Sequence, residues 1–308
     1  MFDNVYRRSV LGIAGAAPVE RLLKRLGFRI GVGRFVAGEN LDAALPVLHK
    51  LHAAGFTTVL DVLGEFVENR ESVDDMMNAI LQTVDTLGRQ PPGQQLSVKP
   101  TQLGLGLSPD LALSNAREIA RRAGRAGVHV CLDMENHPYT DGTLTLFSTL
   151  QEEGYRELST VLQSYLRRSV GDLERMAASY PQAQVRIVKG AYKEPETEAF
   201  RDAETIHAKF LELTRLALEA GMQVNVATHD EKLIGDVLRQ VRELCPDGSG
   251  CEFQLLYGIK PRLQERLLAD GHAVRVYVPF GQDWYGYFSR RLAERPANLG
   301  LVLRGLLG

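Results

Sequence analysis

Short apolar and β-branched runs alternate along this sequence with longer segments in which apolar residues recur at helical spacing. Runs of the first kind are typical of buried strands, and segments of the second kind are typical of helices that cover a sheet. Eight predicted strands follow one another in this way: Thr57–Leu63, Leu96–Lys99, Val128–Met134, Ser159–Tyr165, Gln184–Lys189, Gln223–Ala227, Glu252–Tyr257 and Ala273–Val278. Strands that alternate with helices form a parallel sheet, and eight such units close a barrel. The pattern therefore predicts an α/β protein with a (β/α)8 TIM-type barrel.

The helices between these strands have recognisable ends. One is predicted from Pro109 to Ala126, with Ser108 able to cap its first turn. Another is predicted from Glu198 to Ala220, with its apolar residues on one face. We interpret residues 1–308 as a single barrel domain in which residues 1–56 are mainly a helical N-terminal extension. We expect this extension to cover the N-terminal end of the barrel.

Composition and charge narrow the range of functions. The chain is 44% hydrophobic and 24% charged, and its formal net charge is -2, so nothing favours nucleic-acid binding. Its three cysteines form no CxxC pair, which favours a reducing compartment. Arg7 and Arg8 precede only a short, mildly apolar stretch, which argues against an export signal. The sequence thus indicates an ordinary globular protein of the cytoplasm.

Two common nucleotide-binding motifs are missing. The segments Gly31–Gly33 and Gly104–Gly106 have two glycines each but lack the third glycine of a dinucleotide-binding turn, and no GxxxxGK pattern occurs. Nicotinamide-type binding on an open sheet and P-loop chemistry are therefore disfavoured.

Polar side chains recur where the predicted strands end, which is the end of a barrel that carries the active site. In chain order these residues are Lys99, Asp133, Glu135, Asn136, His137, Gln163, Tyr165, Arg186, Lys189, Tyr192, Thr228, His229, Asp230, Tyr257 and Tyr277, and the last helix adds Tyr287, Arg290, Arg291 and Glu294. Five of them are cations, so an anionic ligand is favoured. The neighbouring Arg290 and Arg291 suit a bidentate grip on a carboxylate.

Other interpretations of these residues stay open at this point. Arg290 and Arg291 are also compatible with a solvated helix face paired with Glu294, and His229 with a cap of the next helix. Lys99 or Lys189 could be a Schiff-base nucleophile of an aldolase-type barrel, because desolvated lysines at strand ends do such chemistry. A barrel that binds amino acids without turnover is a third interpretation.

A metal site is disfavoured. Asp133, Glu135 and His137 are metal-ligand types, but no other histidine stands at a matching spacing. We predict that no metal is bound.

Four segments carry a closer signal. They are VRVYVPFG from Val274 followed by Tyr287, Arg290, Arg291 and Glu294, VRIVKGAY from Val185, LDMEN from Leu132 and ATHD from Ala227. Together they closely resemble the proline dehydrogenase family, and most of all its short monofunctional bacterial members. The resemblance spans most of the barrel.

The resemblance implies roles for individual residues. It implies that Lys99, Arg290 and Arg291 bind the proline carboxylate, that Leu256, Tyr277 and Tyr287 enclose the ring, and that Lys99, Asp133, Arg186 and Tyr277 form the catalytic group. It implies an FAD site made by Asp133, Gln163, Arg186, Val188, Lys189, Gly190, Tyr192, Thr228, His229 and Glu294.

The same resemblance implies the reaction. L-Proline would lose a hydride to FAD and become 1-pyrroline-5-carboxylate, and the electrons would pass to a membrane quinone. A cytoplasmic protein in peripheral contact with the inner face of the membrane fits this role. The aromatic ring of Tyr277 would favour proline over hydroxyproline. The next step of proline catabolism would need a separate pyrroline-5-carboxylate dehydrogenase.

Overall fold

A computed structural model describes residue 12 and residues 17–294, except residues 66, 68 and 247. The strands are β1 (Thr57–Val62), β2 (Gln95–Val98), β3 (His129–Leu132), β4 (Leu158–Gln163), β5 (Gln184–Val188), β6 (Gln223–Ala227), β7 (Cys251–Leu256) and β8 (Val274–Phe280). The helices are α1 (Ala17–Leu26), α2 (Leu41–Ala53), α3 (Arg70–Leu87), α4 (Pro109–Ala126), α5 (Thr140–Glu152), α6 (Ser169–Ser179), α7 (Ala203–Glu219), α8 (Glu231–Leu244), α9 (Pro261–Ala269) and α10 (Trp284–Glu294).

The strands form a closed parallel barrel in the order β1 to β8, so the predicted (β/α)8 fold is confirmed. Each predicted strand is present, and its ends differ from the observed ones by two residues at most. Closure is made by β1 and β8, which pair from Thr57 opposite Arg275 to Val62 opposite Phe280.

Two different environments lie on the two faces of the sheet. Outward residues such as Leu60, Leu96 and Val276 belong to the apolar core between the strands and the helices. The barrel interior instead contains buried polar and charged side chains, which include Ser97, Lys99, Ser159, Arg186, Asn225, Glu252, Gln254 and Arg275. Buried charges are tolerated only when they are paired and hydrogen-bonded, so this interior must be a connected network.

Side-chain caps explain where several helices begin. Ser108 caps α4 as predicted, through its hydroxyl and the Leu111 amide. The predicted start of the next long helix at Glu198 was wrong: α7 begins at Ala203, because Asp202 is its cap and accepts from the Thr205 amide (2.6 Å). Ala199 pairs instead with Leu166 in an isolated antiparallel bridge.

The N-terminal segment was expected to cover the N-terminal end of the barrel, and for its residues 27–38 this expectation was wrong. Its residues 27–38 pack against α10 and the end of β8: the Ala37 amide donates to the Pro279 carbonyl and the Gly281 amide donates to the Gly38 carbonyl, both at 2.9 Å. Apolar contacts hold this segment against α10. Phe35 and Val36 are buried in the same apolar cluster as Trp284 and Phe288 of α10. Arg7 and Arg8 lie outside the described residues.

Within the described part of the chain, no helix combines the length and the apolar character needed to cross a membrane.

Candidate active site

A cavity of about 750 Å³ opens at the carboxyl ends of the strands. Strands β4 to β8, the loops after β1, β3, β5 and β6, and helix α10 supply its walls. Of the residues predicted for the site, thirteen line it: Asp133, Gln163, Arg186, Val188, Lys189, Gly190, Tyr192, Thr228, His229, Leu256, Tyr277, Arg290 and Arg291. The strand-end pattern therefore brings most of the predicted residues to one place.

Lys99 lies next to this cavity, between two carboxylates. Its Nζ is 2.6 Å from Asp61 Oδ1 and 3.8 Å from Asp133 Oδ2, and all of these groups are largely buried. Burial opposes the charge on Lys99, but the two carboxylates outweigh burial and raise the pKa of the ammonium. Lys99 is therefore held as a cation.

Asp133 joins three further groups at the end of β3. Its Oδ1 accepts from the Ser97 hydroxyl (2.5 Å) and from Arg186 Nη1 (2.6 Å), and its Oδ2 accepts from the Tyr277 hydroxyl (3.0 Å). Burial and the Asp133 carboxylate raise the pKa of Tyr277 well above its ordinary value, so its phenol stays a donor. Asp133 is the hub that connects the cations with the aromatic wall.

Arg186 has its guanidinium fixed on two sides. Nε donates to Gln254 Oε1 (2.6 Å), and Nη1 donates to Ser97 and Asp133. The group also lies 5.5 Å from the centre of the Tyr277 ring. Nη2 is buried and has no hydrogen-bond partner within the described part of the chain, although Arg186 lines the cavity.

Gln163, at the end of β4, is also bonded through only one end of its polar group. Its Nε2 donates to the carbonyls of Met134 (3.1 Å) and Glu135 (2.9 Å), which fixes the orientation of the amide. Its Oε1 is buried and finds no partner among the described residues. A buried acceptor on a cavity wall is costly unless a ligand completes it.

The loop after β5 forms another part of the wall. Gly190 has φ +109°, and a Cβ at this position would lie 2.2 Å from the Tyr165 ring, so only glycine fits. Lys189 bonds Asp230 (2.6 Å) at the start of α8. Tyr192 lines the cavity, and burial next to Glu65 raises the pKa of its phenol.

His229 connects two strand ends. Its Nε2 accepts from the Leu256 amide (2.9 Å), so the ring must be neutral, with its proton on Nδ1. The cap of α8 is Asp230, whose side chain accepts from the amides of Lys232 and Leu233, so His229 does not cap that helix. Leu256 is thereby held against the cavity.

Helix α10 contributes both predicted arginines. Arg290 Nη2 donates to Glu65 Oε1 (3.0 Å), and Arg291 stacks 5.0 Å from the centre of the Tyr287 ring. Arg290 and Arg291 line the same cavity. The helix ends at Glu294, whose side chain lies outside the described residues.

Comparison with known proteins gives the arrangement a family. Residues 44–304 match the family model described as proline dehydrogenase. A curated relative, proline dehydrogenase of Deinococcus radiodurans, is 40% identical over 311 residues, which cover 100% of this chain and 99% of the relative. This chain belongs to the proline dehydrogenase family. A second member, proline dehydrogenase 1 of Bacillus subtilis strain 168, is 37% identical over 98% of this chain and 99% of its own length.

A solved structure is similar in fold to this family member. Proline utilization A from Bdellovibrio bacteriovorus, inactivated by N-propargylglycine, superposes with a TM-score of 0.80 at 24% identity. The match covers 89% of this chain but only 33% of that longer one. At this identity the likeness supports the barrel fold and nothing finer.

Among the described side chains, two that were assigned from the proline dehydrogenase family do not line the cavity. Lys99 lies beside it and contacts Asp133, whereas Tyr287 is buried in the apolar cluster that joins α10 to the N-terminal segment. Their roles toward a substrate stay predictions.

Three polar residues of the site were missed by the sequence reasoning: Asp61, Glu65 and Gln254. Asp61 and Glu65 stand at the end of β1 and in the loop after it, so the strand-end rule would have found them had it been applied to the first strand. Gln254 lies inside β7, where no such signal exists.

The structure also bears on the two chemical alternatives. A Schiff-base lysine must lose its proton to attack a carbonyl, but Lys99 is held as a cation and Lys189 is bonded to Asp230. Among the described residues, no group of three or more His, Cys, Asp or Glu side chains is placed to hold a metal ion.

Proposed function

We propose that this protein oxidises L-proline to 1-pyrroline-5-carboxylate, with FAD as the hydride acceptor and a membrane quinone as the final electron acceptor. The family supports the reaction on proline, and the cavity supports a cofactor in this position. The residue roles below are part of the proposal.

The observation that carries it is a pair of incomplete polar groups on one cavity wall. Gln163 offers a buried acceptor and Arg186 a buried cationic donor, and neither atom has a hydrogen-bond partner among the described residues. A flavin ring has both an N–H group and hydrogen-bond acceptors on its polar edge, so it would complete both. The residues present therefore fit FAD.

Three cations surround the region where the substrate carboxylate would lie. Arg290 and Arg291 line the cavity. Lys99 lies beside it, 3.8 Å from the carboxylate of Asp133, which does line it. Guanidinium groups bind carboxylates through paired charge-assisted hydrogen bonds. We assign these three residues to the carboxylate of proline, and Leu256 and Tyr277 to its ring.

The chemistry divides between cofactor and protein. When bound, FAD would supply the acceptor for the hydride that leaves the nitrogen-bound ring carbon on the side away from the carboxylate. Lys99, Arg290 and Arg291 fix the carboxylate and thereby the orientation of the ring. The same cations disfavour the protonated amine, so they favour the neutral nitrogen that the oxidation requires. Tyr277 lines the cavity with its ring and orders Asp133 through its hydroxyl.

The remaining FAD contacts are assigned to the loops after β3, β5 and β6. They are Asp133, Val188, Lys189, Gly190, Tyr192, Thr228 and His229, which all line the cavity, and Glu294 at the end of α10. The quinone and a separate dehydrogenase that consumes the product rest on the family alone.

The first experiment is the visible spectrum of the purified full-length protein under anaerobic conditions. We expect a flavin band that bleaches with L-proline and hardly changes with hydroxyproline. A flavin that stays oxidised with proline would refute the substrate. A protein that takes up no FAD on reconstitution would refute the cofactor, and trapping of a carbonyl substrate by borohydride would then favour the Schiff-base alternative.

Paired variants test the assignment of roles. R291M and K99M should raise KM for proline about tenfold or more, because each loses a charge-assisted hydrogen bond, while FAD stays bound. R186M should instead weaken FAD. R262M, which removes an exposed arginine of α9, is the control. Equal KM values for R291M and R262M would contradict the carboxylate assignment.

A further inference from the structure

A hydrogen-bonded column runs along the inside of the barrel toward the cavity. It begins with Arg275 near the amino ends of the strands, where Nη1 donates to the carbonyls of Thr58 (2.9 Å) and Gly93 (2.7 Å). The same guanidinium forms two bonds to Glu252, of 2.7 and 2.9 Å. The lower part of the column is therefore a fixed ion pair.

Gln254 connects the Glu252–Arg275 pair with Arg186. Its Nε2 donates to Glu252 Oε1 (2.9 Å), and its Oε1 accepts from Arg186 Nε (2.6 Å). A carboxylate can only accept, so the Gln254 amide has one orientation, and its oxygen must face Arg186. With Nε bound by Gln254 and Nη1 bound by Ser97 and Asp133, the plane of the Arg186 guanidinium is determined.

We propose that Gln254 is a positioning residue, held by the Glu252–Arg275 pair, that fixes the plane of the Arg186 guanidinium in the cavity wall. The proposal rests on the proposed function in so far as the ligand of Arg186 is FAD. Gln254 is only 3% exposed, and its two side-chain bonds both point along the column. In this proposal Gln254 acts by orienting Arg186.

The test compares three variants of the full-length protein. Q254M removes the acceptor for Arg186 at nearly constant volume, whereas the exchange E252Q/Q254E keeps an acceptor for Arg186 and a donor–acceptor pair between positions 252 and 254. Q151M is the matched control, because Gln151 is also buried but bonds the Leu158 carbonyl at the amino end of β4. Crystal structures report the orientation of Arg186, and FAD dissociation constants and flavin midpoint potentials report its effect.

We expect Q254M to rotate the Arg186 guanidinium, to weaken FAD roughly tenfold and to shift the potential, because a hydrogen bond to a charged group is lost. E252Q/Q254E and Q151M should keep the Arg186 orientation and bind FAD within about threefold of the wild type. If Q254M leaves Arg186 in place, or if E252Q/Q254E loses FAD as strongly as Q254M, the proposal is wrong. A wild-type protein without FAD would refute the proposed function, and the crystal structures would still decide whether Gln254 positions Arg186.

Discussion

At the scale of single residues, the site depends on how charges are paired away from water. Lys99 would be an unfavourable buried cation without Asp61 and Asp133, and Asp133 would be an unfavourable partner without Arg186 and Ser97. Each charged group therefore stabilises the ionised form of the next. The loss of one member should be felt by its neighbours.

Asp61 gives a first prediction. D61N should raise KM for proline about tenfold and change kcat little, because the Lys99 ammonium loses the carboxylate at 2.6 Å that holds it. Steady-state kinetics would measure this, and D172N, at a buried carboxylate on α6, is the control for general damage. An unchanged KM in D61N would show that Lys99 does not need this partner.

A pH dependence follows from the same residue. Burial raises the pKa of Asp61 to about 6, although the charge of Lys99 opposes the shift. As pH falls through this value the carboxylate takes up a proton, and Lys99 loses the counter-charge. We expect the KM of the wild type to rise below about pH 6. The ratio of wild-type to D61N KM cancels the titration of proline, and a ratio independent of pH would contradict this assignment.

At the scale of elements, the N-terminal segment and the loops after β7 and β8 fit together closely. Gly258 follows β7 with φ +75°, and a Cβ there would lie 1.8 Å from the carbonyl oxygen of Arg34. The contact joins the N-terminal segment to the end of the barrel that carries the cavity. Helix α10, with Arg290 and Arg291, packs on the same segment through Trp284 and Phe288.

Two glycines with the same backbone angle test this contact. G221A, at φ +75° with no atom within 4 Å, should cost about 1–2 kcal/mol of unfolding free energy from backbone strain alone. G258A has the same strain and should cost about 1–3 kcal/mol more, because the Arg34 backbone must move. Urea unfolding of both variants measures the difference. Equal costs would mean that the two segments separate easily.

At the scale of the whole molecule, the barrel interior is held by charges as well as by apolar packing. E252L should cost about 3–5 kcal/mol, because it leaves Arg275 buried without its partner. The double variant E252L/R275M should cost less than E252L, since it removes both charges together. Urea unfolding of both proteins checks this, and a larger cost for the double variant would show that Arg275 stabilises the barrel even without Glu252, through the carbonyls of Thr58 and Gly93.

The sequence by itself determined the fold and most of the residues that line the cavity. Apolar periodicity depends on neighbours along the chain, so it predicted the eight strands, and the strand-end rule collected Asp133, Gln163, Arg186, His229 and Tyr277 at one cavity. Local rules did less well where distant segments meet. They placed the start of α7 too early, and they placed residues 27–38 of the N-terminal segment at the wrong end of the barrel.

Only the tertiary structure decided which charges are partners. Lys99 and Asp61 are 38 residues apart, and Arg186 and Gln254 are 68 apart, so no pattern along the chain joins them. Barrel closure brings these side chains into a space with little water. There, each buried donor needs an acceptor from the protein or from a ligand. That requirement leaves Gln163 Oε1 and Arg186 Nη2 incomplete among the described residues, and it is what points to a cofactor.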